Sequence, residues 1–390
     1  MKTDKITFTN SGNIGLGLRL AGKVCAVSEG GAGLSNIRFI QDSATGLVPK
    51  AVFARSKADL AENTFLELSE SALVYYCPAL LGEKVFRKLY TKKLPKNLND
   101  IVSTPAAKLL KNKSLDNKKL MPVKAALALS GFLIPLVEFT LNYIKNLMTL
   151  KMFKQADFEN IANLKNDKTE NSEQAKKVKD SAIKNIKLAG MIYGGCLGLA
   201  GLLLKRGQNS KLLQNFSEVI LAPGTKFFKN SPKKEEFFNK FFSLDFADNN
   251  GKLSMSRGQL TSCVLVGGAG YFGASKDRGK QNFLENLFRY PVVGFYIIYG
   301  NEFLEKCFKK LLYKTGKCKD VLNEKLEVPR FDELQKFAQQ HGKDYKKLLK
   351  QKVVIAGIPL LFGIGVMGFF ITKSSNLFTK FRYNREQKHN

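Results

Sequence analysis

The spacing most directly tied to a chemistry is Gly268-Ala269-Gly270-Tyr271-Phe272-Gly273. Glycines placed this way let a backbone turn tightly and approach a pyrophosphate at a helix N-terminus. The preceding TSCVLV has the composition of a strand, and VVGFYIIY downstream can supply a second one. An acidic partner for a ribose is less well placed, since Glu302 follows Gly268 by about 34 positions where roughly 20 is usual. The helix after the glycines would also open on KDRGK, a poor surface for packing on a sheet. Nucleotide binding by Gly268, Gly270 and Gly273 therefore stands as an alternative reading.

Glu138 is the sole charge within AALALSGFLIPLVEFTLNYI, residues 125–144, and Asn142 follows one turn later on the same face. A carboxylate at membrane depth is costly and usually faces a bundle interior or a wet cavity. Glu138 and Asn142 are accordingly the intramembrane polar candidates for a proton or cation site; a shifted helix would put Glu138 at the interface. Gly190, Gly194 and Gly198 recur every fourth residue of a second apolar run. That spacing builds a smooth ridge on which another helix can pack closely. In the last apolar run, Gly357, Gly363, Gly365 and Gly368 offer further small surfaces, and Pro359 predicts a kink.

Other chemistries lack material. The histidines are His341 and His389, neither with a neighbour at metal-ligand spacing. The cysteines, Cys25, Cys77, Cys196, Cys263, Cys307 and Cys318, form no CxxC pair and read as free thiols in a reducing compartment. A calcium loop across DFADNNGKLS would begin at Phe246 and end at Arg257, which cannot supply the oxygen ligands, so Asn249-Asn250-Gly251 reads as a turn. No metal or cofactor is expected, and the reading leans away from an enzyme.

The elements that position these residues are apolar blocks separated by charge. The 390-residue chain has a net charge of +30, with 63 Lys and Arg against 33 Asp and Glu. Its mean hydropathy of −0.17 hides the segregation. Three runs approach the length of a membrane span: 125–144, 188–204 and 353–372. Residues 258–275 and 290–308, with their basic connector, suggest a helical hairpin, and 71–82, too short to span, reads as interfacial or as a buried helix end interrupted by Pro78. Ser56 is a plausible N-cap for a helix with Leu60, Leu66 and Leu73 as its apolar stripe. Ser231-Pro232 opens another, on which Phe237, Phe238, Phe241 and Phe242 fall at helical spacing opposite Lys. That pattern suits a helix lying at a membrane surface, although the same Phe residues can cover a soluble core.

The expected fold is all-α: a multi-pass helical membrane protein with four to six inserted segments, interfacial amphipathic helices and basic soluble loops. Five stretches follow in order. Residues 1–118 are an N-terminal amphipathic, membrane-associated region, and 119–206 hold two transmembrane helices with a polar connector. Residues 207–257 are an interfacial Phe/Lys-rich region and 258–310 a Gly-rich apolar hairpin. Residues 311–390 combine a basic helical segment, the final span and a basic tail. Lys2 and Lys5 precede a polar stretch, so no cleavable signal peptide is expected, and the plasma (inner) membrane of a bacterium is the expected location. The basic segments favour anionic lipid head groups. Because the charge is mostly Lys, the poorer choice for bidentate recognition, nucleic acid is the less favoured partner. A homo-oligomer or a membrane-protein partner fits the glycine ridge. Function divides between a transporter- or channel-like bundle and a membrane scaffold. The alternatives are a Rossmann-type enzyme and a basic nucleic-acid-binding protein.

Overall fold

The computed structural model describes residues 14–29, 44–76, 80–112, 114–165, 169–249 and 252–388. It is mostly helical. Helix α1 covers Leu16–Glu29, α2 Leu47–Val52 and α3 Lys57–Glu70, which widens into a π-helical turn at Ser71–Tyr76. Next come α4, Asn117–Gly131, and α5, Leu133–Phe153, then α6, Ser172–Arg206, α7, Lys211–Leu221, and α8, Pro232–Phe241. A small antiparallel hairpin pairs β1, Ala247–Asn249, with β2, Lys252–Ser254. Helices α9, Arg257–Lys276, and α10, Lys280–Phe295, form the second half with α11, Asn301–Lys314, joined to α10 by a π-helical stretch at 296–300. The last rod is α12, Tyr345–Phe362, a π-helical Gly363–Phe370, and α13, Ile371–Gln387.

Local signals set the helix starts. The Ser56 hydroxyl accepts from the Asp59 amide, as expected of an N-cap, and Asp344 accepts from the Lys346 and Lys347 amides. Ser256 and Gln259 form a reciprocal capping box at the start of α9. Ser231 makes no side-chain cap, and Pro232 alone marks the start of α8.

Three helical stretches are long and apolar enough to cross a membrane among the described residues: Asn117–Phe153, Ser172–Arg206 and Tyr345–Gln387. Their environments differ sharply. The apolar window of the first is 78% buried within the fold, against 17% and 28% for the others. The first is also two helices rather than one, since α4 ends at Gly131 and α5 begins at Leu133. Pro135 falls in the first turn of α5, where its missing N–H leaves no helical bond unmade.

Helix α4 is the centre of the larger core, buried without interruption from Leu120 to Ser130. Around it pack Ala200 and Leu203 of α6, Leu213 and Leu221 of α7, and Phe246 and Leu253 of the hairpin. Lys124, which the sequence places as a flanking charge, lies inside this core. Its ammonium meets Asp245 at 3.0 Å and donates to the Val102 and Thr104 carbonyls at 2.7 and 2.9 Å. A second core joins α1, α11 and the start of α12 around Leu334, Leu348 and Leu349.

Helix α3 divides its apolar stripe. Of Leu60, Leu66 and Leu73, only Leu66 is inside, with Leu60 and Leu73 over 40% exposed. The buried positions are Ala58, Asp59, Glu62 and Leu66. The π-helical turn adds to the shift, because the extra residue per turn moves the inward position from Leu73 to Val74, which is buried. Charge faces in and leucine faces out.

Candidate functional site

The inward charges of α3 meet partners supplied from far along the chain. Arg55, just before the helix, contacts Asp59 Oδ2 from Nε at 3.0 Å. It also reaches Glu285 of α10 from both terminal nitrogens, at 2.8 and 3.1 Å. Arg278, in the α9–α10 turn, donates to Glu62 Oε2 at 2.8 Å, and Thr149 of α5 donates to the same carboxylate. Lys50 of α2 pairs with Glu67, and the Tyr271 hydroxyl donates to Glu70 at 2.7 Å. Charges taken from water survive in a fold only when paired and hydrogen-bonded, and these are.

The last two pairs open onto a cavity of about 760 Å³. One wall is a full face of the final rod: Lys352, Ile355, Pro359, Gly363, Met367 and Thr372 all line it. These residues span about 30 Å at the usual helical rise, matching the hydrocarbon thickness of a bilayer. The opposing wall runs from Asn286 and Arg289 through Tyr290, Val293 and Tyr296 to Glu305 and Lys309. The π-helical stretches at 296–300 and 363–370 both contribute to these walls. Pro359, with no N–H, leaves a backbone position free of its helical bond, and its carbonyl stands 3.4 Å from the Tyr296 hydroxyl.

Glu138 lies on the cavity wall contributed by α5. The Tyr290 hydroxyl sits 3.4 Å from Glu138 Oε1 and 3.0 Å from the Val264 carbonyl oxygen. The rings of Tyr271 and Tyr290 are 4.8 Å apart, so two carboxylates, Glu70 and Glu138, flank a tyrosine pair. Asn142 does not join them. It is wholly buried and donates to the Glu138 backbone carbonyl at 3.0 Å, away from the cavity.

The glycine run sits inside α9 rather than in a turn. Gly268, Gly270 and Gly273 have helical neighbours on both sides, so their amides are committed to the helix and no strand–turn–helix exists to hold a pyrophosphate. This corrects the nucleotide-binding expectation for those residues. Their use is close packing. A Cβ at Gly270 would stand 2.7 Å from the Phe139 Cα and carbonyl oxygen of α5. At Gly268 it would stand 2.7 Å from the Tyr290 ring, and at Gly267 and Gly273 it would strike Glu138 and the Tyr143 hydroxyl. The ridge read at Gly190, Gly194 and Gly198 has no such neighbour among the described residues: none lies within 4 Å of a Cβ at any of the three. Gly368, in the final rod, meets the Thr45 carbonyl instead, at 2.7 Å.

The Phe-rich helix α8 buries no residue fully. Phe238 stacks on Phe228 at 4.4 Å and Phe241 lies 5.4 Å from Tyr299, whereas Phe237 and Phe242 are half exposed. Its Glu235 accepts from Lys111 at 2.9 Å and from Thr225 at 3.0 Å. These hydrogen bonds hold the Glu235 carboxyl below the usual glutamate range.

Sequence reasoning found Glu138 but missed Glu70, Lys50, Arg289, Tyr271 and Tyr290. A signal for the acidic residues was present: Asp59, Glu62 and Glu70 recur at three and eight positions, on one helical face. Fold and site together define a helical bundle with two apolar cores, a set of buried charge pairs, and large apolar residues left exposed on several helices. The chain matches no protein-family model, no curated protein and no solved structure.

Proposed function

We propose that this protein is a multi-pass integral membrane protein of a bacterial inner membrane, with a bundle that encloses a path for a small solute. The observation that carries this reading is the inverted polarity around the cavity. Helix α3 turns its carboxylates inward, while Met191 of α6, Phe295 of α10 and Leu361 of α12 are each more than 60% exposed. In water that arrangement leaves apolar area uncovered on several helices; in lipid it covers every apolar face and keeps charge in the protein interior. Cavity depth favours a transporter- or channel-like bundle over a scaffold, because the lining follows the final rod for about the thickness of the hydrocarbon core. Broken helices around a polar site belong to the same pattern.

The basic segments and the exposed Phe237 and Phe242 support contact with anionic head groups at the membrane surface. The uncovered Gly190, Gly194 and Gly198 face supports a second copy or another membrane helix as a neighbour.

Two measurements test the proposal. The protein should stay in the membrane pellet through alkaline carbonate and high salt, since apolar burial is indifferent to ionic screening; release by salt alone would make it peripheral. In a cysteine-free background, Val293→Cys on the cavity wall should react with a water-soluble maleimide in the membrane. Protection of that residue alongside firm insertion would return the protein to the scaffold class.

A further inference from the structure

The cavity described above carries a statement about its ligand, and that statement rests on the solute-path reading. Three of its five cations are matched by carboxylates, Lys50 by Glu67, Lys309 by Glu305 and Arg330 by Asp332, while Lys352 stands over the Phe331 ring and Arg289 forms no ion pair among the described residues. Glu138 forms no ion pair among the described residues, and its contacts are a tyrosine hydroxyl and the glycine face of α9. Glu70 likewise is held by a tyrosine hydroxyl. Three tyrosines, Tyr271, Tyr290 and Tyr296, line the same space. Carboxylate oxygens accept N–H bonds, and tyrosine rings attract cationic groups through their quadrupole.

We infer that the middle of this cavity binds a small organic ammonium ion, with its N–H groups on Glu138 and its charge beside the Tyr271–Tyr290 pair. The alkyl part lies along Val264, Val293 and Leu360, which line the adjoining wall. Size separates this ligand from a bare metal ion. A cavity of about 760 Å³ far exceeds what a sodium ion fills, and such an ion needs a shell of converging oxygens. Here the Val264 backbone oxygen is already engaged by the Tyr290 hydroxyl. The charges of Lys50 and Arg289 act on Glu70 rather than on Glu138, so the ammonium is expected to favour Glu138.

The test uses the full chain in detergent and n-butylammonium chloride as the probe, followed by calorimetry and thermal unfolding. Sodium chloride at equal ionic strength and sodium acetate are the comparison arms. Butylammonium should bind saturably and raise the melting temperature, and Glu138→Gln should weaken binding about tenfold or more, a loss of at least about 1.4 kcal/mol. Lys177→Gln, exposed on α6 and outside the cavity, should leave the affinity unchanged. If Glu138→Gln does not fold, Glu70→Gln and Glu138→Asp serve, each with a several-fold loss. The inference is overturned if butylammonium acts no differently from sodium chloride, if acetate is the saturable ligand, or if the folded Glu138 variants bind as wild type does. Failure here with carbonate resistance and maleimide labelling intact removes the ligand class alone; failure of those two removes the solute path itself.

Discussion

Replacing Gly270 by alanine puts the packing of α9 on α5 to a direct test. The new methyl carbon would sit 2.7 Å from two backbone atoms of Phe139, and backbone cannot swing aside as a side-chain tip can. Carbon contacts settle near 3.5–4.0 Å, so the two helices must part by about 1 Å along their contact line. Overpacking of this kind costs roughly 1–3 kcal/mol, and alanine's better helix propensity returns about 1 kcal/mol. A net loss of about 0–2 kcal/mol is expected, read as a melting temperature in detergent below that of a glycine-to-alanine change in open space. Gly194→Ala is the matched control. It meets nothing within 4 Å, so it keeps the helix-propensity gain of about 1 kcal/mol and should melt at or above wild type in the monomer. Each variant is measured by scanning fluorimetry and size exclusion at a concentration that keeps the protein monomeric. If Gly270→Ala is neutral while Gly194→Ala is destabilising, the close helix contact lies on α6, and the account of the α9 glycines is wrong.

Removing one partner of the Glu62–Arg278 pair should be severe. Arg278→Met strands a buried carboxylate and is expected to cost about 3–5 kcal/mol, with much of the loss recovered in the Glu62→Leu/Arg278→Met double variant; equal damage in single and double variants would refute the pairing argument. Glu235 gives a pH signature. Its folded carboxyl titrates below the usual range because Lys111 and Thr225 donate to it, so its stabilisation is present above the unfolded glutamate value and fades as pH falls through the folded one. Glu235→Gln should therefore lower stability at neutral pH and flatten the acid limb, whereas an unchanged limb in stability scans from pH 6 to 3 would contradict it.

The long apolar runs were legible in the sequence because expelled charge leaves a mark tens of residues long. Helices α6 and α12 lie where 188–204 and 353–372 were read, and the proposed hairpin of 258–275 and 290–308 corresponds to α9 and the α10–α11 rod. The break at Phe132 was overlooked although Gly131 and Pro135 flank it, because the apolar run passes through it without a charge. The inward face of α3 was not legible from its leucines, because Asp59 and Glu62 are buried by partners far along the chain that the local pattern does not show. The site was half visible: Glu138 announces itself as a lone charge in an apolar run, but Tyr271, Tyr290 and Arg289 gain meaning only through contacts with residues far away in sequence. Pro78, Cys77, Lys2, Lys5, Asn250, Gly251 and His389 lie outside the described residues.

The inward acids of α3 also bear on how the chain is made. Glu62 finds Arg278 216 residues later, and Arg55 finds Glu285 230 residues later. At about 5–20 residues per second, the ribosome needs on the order of 10–45 s to deliver those partners. On the membrane reading proposed above, the segment cannot be released singly into lipid during that interval, because Glu62 has no ion-pair partner until Arg278 arrives. On the same reading, residues 57–76 wait at an aqueous or chaperoned site until the α9–α10 turn is made. Chain-terminated ribosome complexes should accordingly show α3 reactive to water-soluble reagents until residues 278–285 have left the exit tunnel.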